Sequence, residues 1–224
     1  MLINKILKVV LSLLGGVYVV LQGFALEGEG AALSAFLLIL LTVLYCKCTE
    51  NKTKYFFWFL VSFTLAQVLG YLSYYSTELE FEQIDYYYYI ANVLYMISYL
   101  FLIVKILVQL NIKTVFLELP IPILVLIVLD IFCVSIVSDT TANVLSIYQY
   151  SLEYAYNAVI MGLLSVALIN YMYRNDNKSM LFLLGSICIV FSEIIQLSYY
   201  YILDDNNLNF IYSFFYVIAF LFFY

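Results

Sequence analysis

The 224-residue sequence contains no histidine, which removes the commonest metal ligand and the commonest neutral-pH base together. Charge is scarce as well: 11% of residues are Asp, Glu, Lys or Arg, against 66% hydrophobic, and the mean hydropathy is +1.03. That leaves too little polar surface to cover a soluble globule, so the chain reads as an integral membrane protein. Its few cations form no basic stripe, which excludes a nucleic-acid partner. The four cysteines fit neither a disulfide framework nor a zinc site. Cys46 and Cys48 flank a lysine at a helix end, and Cys133 and Cys188 lie in separate apolar runs, as packing or lipid-facing thiols do. Neither a metal nor a cofactor is expected.

Apolar runs fill the space that these absences leave. Eight of them, each close to the length that crosses a hydrocarbon core of about 30 Å, fall near 6–25, 31–47, 55–75, 86–109, 117–137, 142–172, 179–202 and 208–224. None alternates with the period of a β-barrel strand, so the expected fold is all-α: a polytopic bundle of eight transmembrane helices in a single domain over 1–224. Pro120 and Pro122 stand at the start of the fifth span, where a missing backbone donor does little harm. The sixth is longer than a crossing needs and is expected to tilt or project. Lys5 and Lys8 ahead of the apolar stretch Val9–Leu21, with Gly23-Phe24-Ala25 behind it, also fit a cleaved signal peptide. The Gly15-Gly16 pair and Gln22 fit a retained helix packed closely on neighbours better.

Charge placement orients the spans. All nine basic residues, Lys5, Lys8, Lys47, Lys52, Lys54, Lys105, Lys113, Arg174 and Lys178, fall before or at the start of the first span or near the breaks after the second, fourth and sixth. The alternate breaks carry Glu27 and Glu29, then Glu78, Glu80, Glu82 and Asp85, then Asp139, then Asp204 and Asp205. The positive-inside rule therefore expects a multi-pass protein of the cell (inner) membrane with both termini cytoplasmic. Tyrosines crowd the span ends, as an aromatic belt does, and the Tyr86–Tyr89 run beside four carboxylates also suits a cationic headgroup.

Three acids remain inside spans, away from their ends: Asp130, Glu153 and Glu193. An ionisable group at membrane depth is expensive and usually faces a bundle interior or a wet cavity. Counted at about 1.5 Å per residue, they lie roughly 14, 18 and 15 Å from their respective span ends, which suggests one shared layer near the mid-plane. Gln67 on the third span joins the layer by the same count, Asn157 stands one turn from Glu153, and Gln196 three residues from Glu193. Away from water and cations the charged form of a carboxyl is disfavoured, and a protonated carboxyl is what a general acid requires. The plainer reading is that such acids and amides hydrogen-bond between helices as glue.

The pattern Gly185-x5-Phe191-Ser192-Glu193 resembles the glycine, phenylalanine, serine-aspartate pattern of a late helix in the YhhN-like family, membrane proteins that include lysoplasmalogenases. Chain length, the eight-span layout, the Tyr154–Met161 segment and the aromatic last span are similar too. The resemblance implies hydrolysis of the vinyl ether of a lysolipid, releasing a fatty aldehyde, by two membrane-embedded acids. Glu193 matches one of them. The other is expected in a glycine-aspartate pair on an early span, where this chain has Ala66-Gln67, and a histidine frequent on the following span is missing. The expected machinery is Glu193 as acid, with Glu153 or Asp130 as second carboxylate, and Gln67, Asn157, Ser192 and Gln196 as substrate-binding groups. Membrane lipids or a lysolipid are the expected partners, with room for a membrane-protein partner or a homodimer. Two other classes stay open: a catalytically inactive, lipid-binding or scaffold member, and proton- or cation-coupled transport through the acid layer.

Overall fold

The computed structural model describes residues 2–49, 52–76, 85–203 and 205–223, and side chains from Leu7 onward. Among these the protein is all-helical, with nine helices and no strand. They are α1 (Leu2–Gly23), α2 (Glu27–Cys48), α3 (Lys54–Ser73), α4 (Tyr86–Leu107), α5 (Ile112–Glu118), α6 (Pro120–Asp139), α7 (Ile147–Arg174), α8 (Asn177–Tyr201) and α9 (Asn206–Phe223). Seven of them, α2 to α4 and α6 to α9, are long and apolar enough to cross a membrane, and the described apolar part of α1 runs from Leu7 to Gly23. The protein is a multi-pass, all-helical membrane protein. Glu78, Glu80, Glu82 and Asp204, part of the expected acidic breaks, lie outside the described residues.

Two differences from the sequence reading matter. The seven-residue α5 occupies what reads as a plain break before the fifth span; Asn111 caps it through a side-chain bond from the Thr114 N–H. The sixth span starts later than expected, at Ile147 instead of near 142. Ser146 and Gln149 form a reciprocal capping box there, satisfying two backbone donors that the helix would otherwise leave open. At the far end of α7, Asn175 adopts a left-handed conformation (φ 48°) and its N–H closes on the Tyr171 carbonyl. Asp176 then caps α8, accepting from the Ser179 N–H at 2.7 Å. The Ser179 bonds, aided by the Arg174 guanidinium 3.0 Å away, hold the Asp176 carboxyl below its usual range.

The chain divides into two compact units, residues 1–101 and 102–224. In the first, α2 packs on both α1 and α3. Gly30 admits the Gln22 side chain, and the Thr42 and Thr64 hydroxyls meet at 3.1 Å. In the second, α7 packs against both α6 and α8, and α9 lies along α8. All four Cys residues are free thiols.

Candidate functional site

The second unit holds the three intramembrane acids, and α7 meets each of them differently. Asp130 on α6 accepts a bond from the Ser165 hydroxyl (2.8 Å). Glu193 on α8 accepts one from the Tyr156 hydroxyl (2.9 Å). Glu153 is buried on α7 itself, with the buried Asn157 one turn on. Asn157 also donates to the Ser138 hydroxyl on α6 (3.1 Å).

These pairings fix the helices in height. The Asp130–Ser165 and Ser138–Asn157 bonds lie eight residues apart along both helices, as antiparallel neighbours require. Along α7, Asp130 is level with Ser165 and Glu193 with Tyr156. At about 1.5 Å per residue, Glu193 and Glu153 are therefore within about 5 Å of one another in height, while Asp130 is about 14 Å from Glu193 and about 18 Å from Glu153.

This corrects the expectation of one mid-plane layer of three acids. Helix α6 is the most apolar span, and its 20 residues measure about 30 Å, the thickness of a hydrocarbon core. Asp130 sits halfway along it. Tyr156, Asn157 and Glu193 stand level with its Asp139 end, past which α7 projects by about 14 Å. Counting from span ends failed because those ends are not level: the turn over residues 140–145 and the late start of α7 displace one helix against the next.

The face of α8 turned to α9 is a separate seam. Phe182, Gly185, Ser192 and Gln196 follow a three–four spacing on α8, and Asn209, Tyr212, Ala219 and Phe223 do so on α9. The contacts follow that order. The rings of Phe182 and Phe223 are 5.2 Å apart, Gly185 lies so close to Ala219 and Phe223 that a Cβ there would collide, and Ser192 donates to the Tyr212 carbonyl (2.9 Å). Ser192, expected as a substrate contact, is thus bound into this seam and is buried.

Gln67 belongs to the first unit, where the Tyr95 hydroxyl donates to its side-chain oxygen. Two residues were not singled out in the sequence. Tyr156 had a signal, since Glu153, Tyr156 and Asn157 lie at i, i+3 and i+4 on one face. Asn209 had a weaker one, an amide within an apolar span. Among the described residues, no group of three or more His, Cys, Asp or Glu side chains is arranged to hold a metal ion. No protein-family model, no curated protein and no solved structure matches this chain.

Proposed function

We propose that this protein is a membrane-embedded hydrolase that cleaves the vinyl ether of a lysolipid, with Glu193 and Glu153 as its working carboxylates. The observation that carries this reading is the pairing of Tyr156 with Glu193 at the end of α6, on the same stretch of α7 as Glu153. A lysolipid with its tail along the apolar helices presents its ether where hydrocarbon gives way to headgroups, and that is the height of this cluster. Water reaches this height more readily than the mid-plane, and hydrolysis needs water.

In the proposed reaction a protonated Glu193 gives its proton to the outer vinyl carbon, and the ether oxygen shares the resulting positive charge as an oxocarbenium. Glu153 stabilises that charge and takes a proton from the attacking water, leaving a hemiacetal. The hemiacetal breaks its carbon–oxygen bond to the glycerol, releasing fatty aldehyde and glycerophospho-base, and one water is consumed. Tyr156 orients the Glu193 carboxyl. The positive-inside rule puts the Asp139 end outside and both termini in the cytoplasm of an inner-membrane protein, so the cluster opens toward the outer leaflet.

One observation favours a second reading, a non-catalytic lipid-binding member: Gln67, where the resemblance expects an acid, is satisfied by Tyr95 as an ordinary interhelical bond. Purified protein mixed with a vinyl-ether lysolipid decides between them. Aldehyde release above the rate of empty nanodiscs is the expected result. Lysolipid binding without aldehyde leaves the binding reading alone.

A further inference from the structure

The α8–α9 seam continues beyond Ser192 and Tyr212 toward the Asp139 end. Its next step brings Gln196 of α8 opposite Asn209 of α9, because the contacts at Phe182–Phe223, Gly185–Ala219 and Ser192–Tyr212 set an antiparallel register that the three–four spacing carries on. The steps at Phe182, Gly185 and Ser192 are filled by rings, small residues and a satisfied hydroxyl. By that register the Gln196–Asn209 step is a layer of two amides.

Asn209 is fully buried, and neither its side-chain oxygen nor its nitrogen has a hydrogen-bond partner. It is therefore not bonded to Gln196, although both amides carry a donor and an acceptor. Its own backbone carbonyl is taken by the Ser213 hydroxyl at 2.7 Å, so the first turn of α9 is held in place while the side chain is left unsatisfied. A buried amide with both ends open is costly, and native proteins place a polar partner there. The layer lies about one helical turn past Ser192 and Glu193, farther from the apolar centre of α6.

We infer that the Gln196–Asn209 layer is a binding site for an uncharged hydroxyl, and specifically for the glycerol hydroxyl of a single-chain lipid. A hydroxyl both donates and accepts, so one such group meets the oxygen and the nitrogen of Asn209. No cation lies among the layer's own residues, which speaks against a phosphate. The inference rests on the lysolipid reading of the neighbouring cluster and deepens it. In a lysolipid the free hydroxyl is two carbons from the ether oxygen, so an ether beside Glu193 puts the hydroxyl within a helical turn, on the headgroup side. Asn209 and Gln196 are in this view positioning residues that set which bond Glu193 meets.

Binding of a saturated ether lipid, which cannot be hydrolysed, tests this without turnover. The probes are 1-O-alkyl-glycerophosphocholine and its 2-deoxy analogue, titrated into the full chain in nanodiscs. The wild type is expected to bind the hydroxyl-bearing lipid about tenfold more tightly, the worth of one well-formed hydrogen bond. Asn209→Leu is expected to bind both at the weaker affinity, and Glu193→Gln to keep the preference. Asn209→Ser, a smaller change, guards against misfolding of the leucine variant and is expected to lose most of the preference. Equal binding of the two lipids by the wild type overturns the inference and leaves water as the occupant. A preference that survives in both Asn209 variants overturns it as well. Preference without aldehyde release from a vinyl-ether lipid keeps the hydroxyl site and removes the hydrolase reading.

Discussion

Asp130 and Glu193 are both carboxylates on apolar helices, and each accepts a bond from a hydroxyl on α7. Their heights separate them. Asp130 lies at the centre of α6, whose outward residues Ile127, Val128, Ile131 and Phe132 are exposed for lipid. Glu193 lies level with the end of that helix, among Tyr156, Asn157 and Glu153, where polar groups gather from three helices. An acid at the first height joins two helices and meets little else. An acid at the second stands where the apolar length of α6 ends, with polar side chains around it. The same side-chain chemistry joins two helices in one place and, in the proposed reaction, transfers a proton in the other, and sequence spacing alone does not tell the two apart.

The largest expected effect separates these acids directly. Glu193→Gln should reduce aldehyde release by roughly 100- to 1000-fold, within the usual contribution of a general acid, while Asp130→Asn stays within about threefold of wild type. Initial rates on a vinyl-ether lysolipid measure both, and a reversed order would make Asp130 the working acid. Next, Glu153→Gln should lower the rate by about 100-fold through loss of the base, and Tyr156→Phe by about tenfold through loss of one hydrogen bond to Glu193. Equal losses in these two variants would mean that Glu153 only orients its neighbours. On the Asp130 side, Ser165→Ala should cost about 1 kcal/mol of stability, the scale of an interhelical bond within a membrane, with the rate unchanged. Unfolding in mixed micelles measures the first and the aldehyde assay the second.

Asp176 supplies a charged reference outside both regions, and its effect is the smallest. Its folded pKa is depressed by the Ser179 bonds, so its contribution is complete above the unfolded value of about 4 and is lost as pH falls through the lower folded value. Asp176→Asn should flatten that acid limb of thermal stability while leaving the neutral-pH rate unchanged. A variant with an unaltered acid limb would mean that the cap bond survives protonation.

Much of the fold was legible because membrane crossing imposes a length and a hydropathy that residues such as Ile121 to Ile136 meet without help from context. The prolines at 120 and 122 marked the start of α6 correctly, and the excess length of α7 became its projection past that helix. Heights were not legible. They depend on which residue of one helix packs against which of the next, and no local pattern around Glu153 or Asp130 encodes that. The start of α7 was encoded, since Ser146-Ile147-Tyr148-Gln149 is a capping-box pattern, but the apolar run beginning near 142 outweighed it. Glu193 stood out as an acid in an apolar run with no Lys or Arg near it in sequence. Tyr156 did not, because tyrosines are common throughout this chain, and Asn209 was hidden by its nearness to a span end.

Only Asn175 and Asp176 lie between α7 and α8, and both are spoken for by bonds to the helices that they join. A connection that short has almost no loop to close, so these two helices form a hairpin from local contacts alone. The polar groups that face each other across it then travel as a pair. Tyr156 and Glu193 lie on the two arms of that hairpin, so their bond needs no third helix to bring them together.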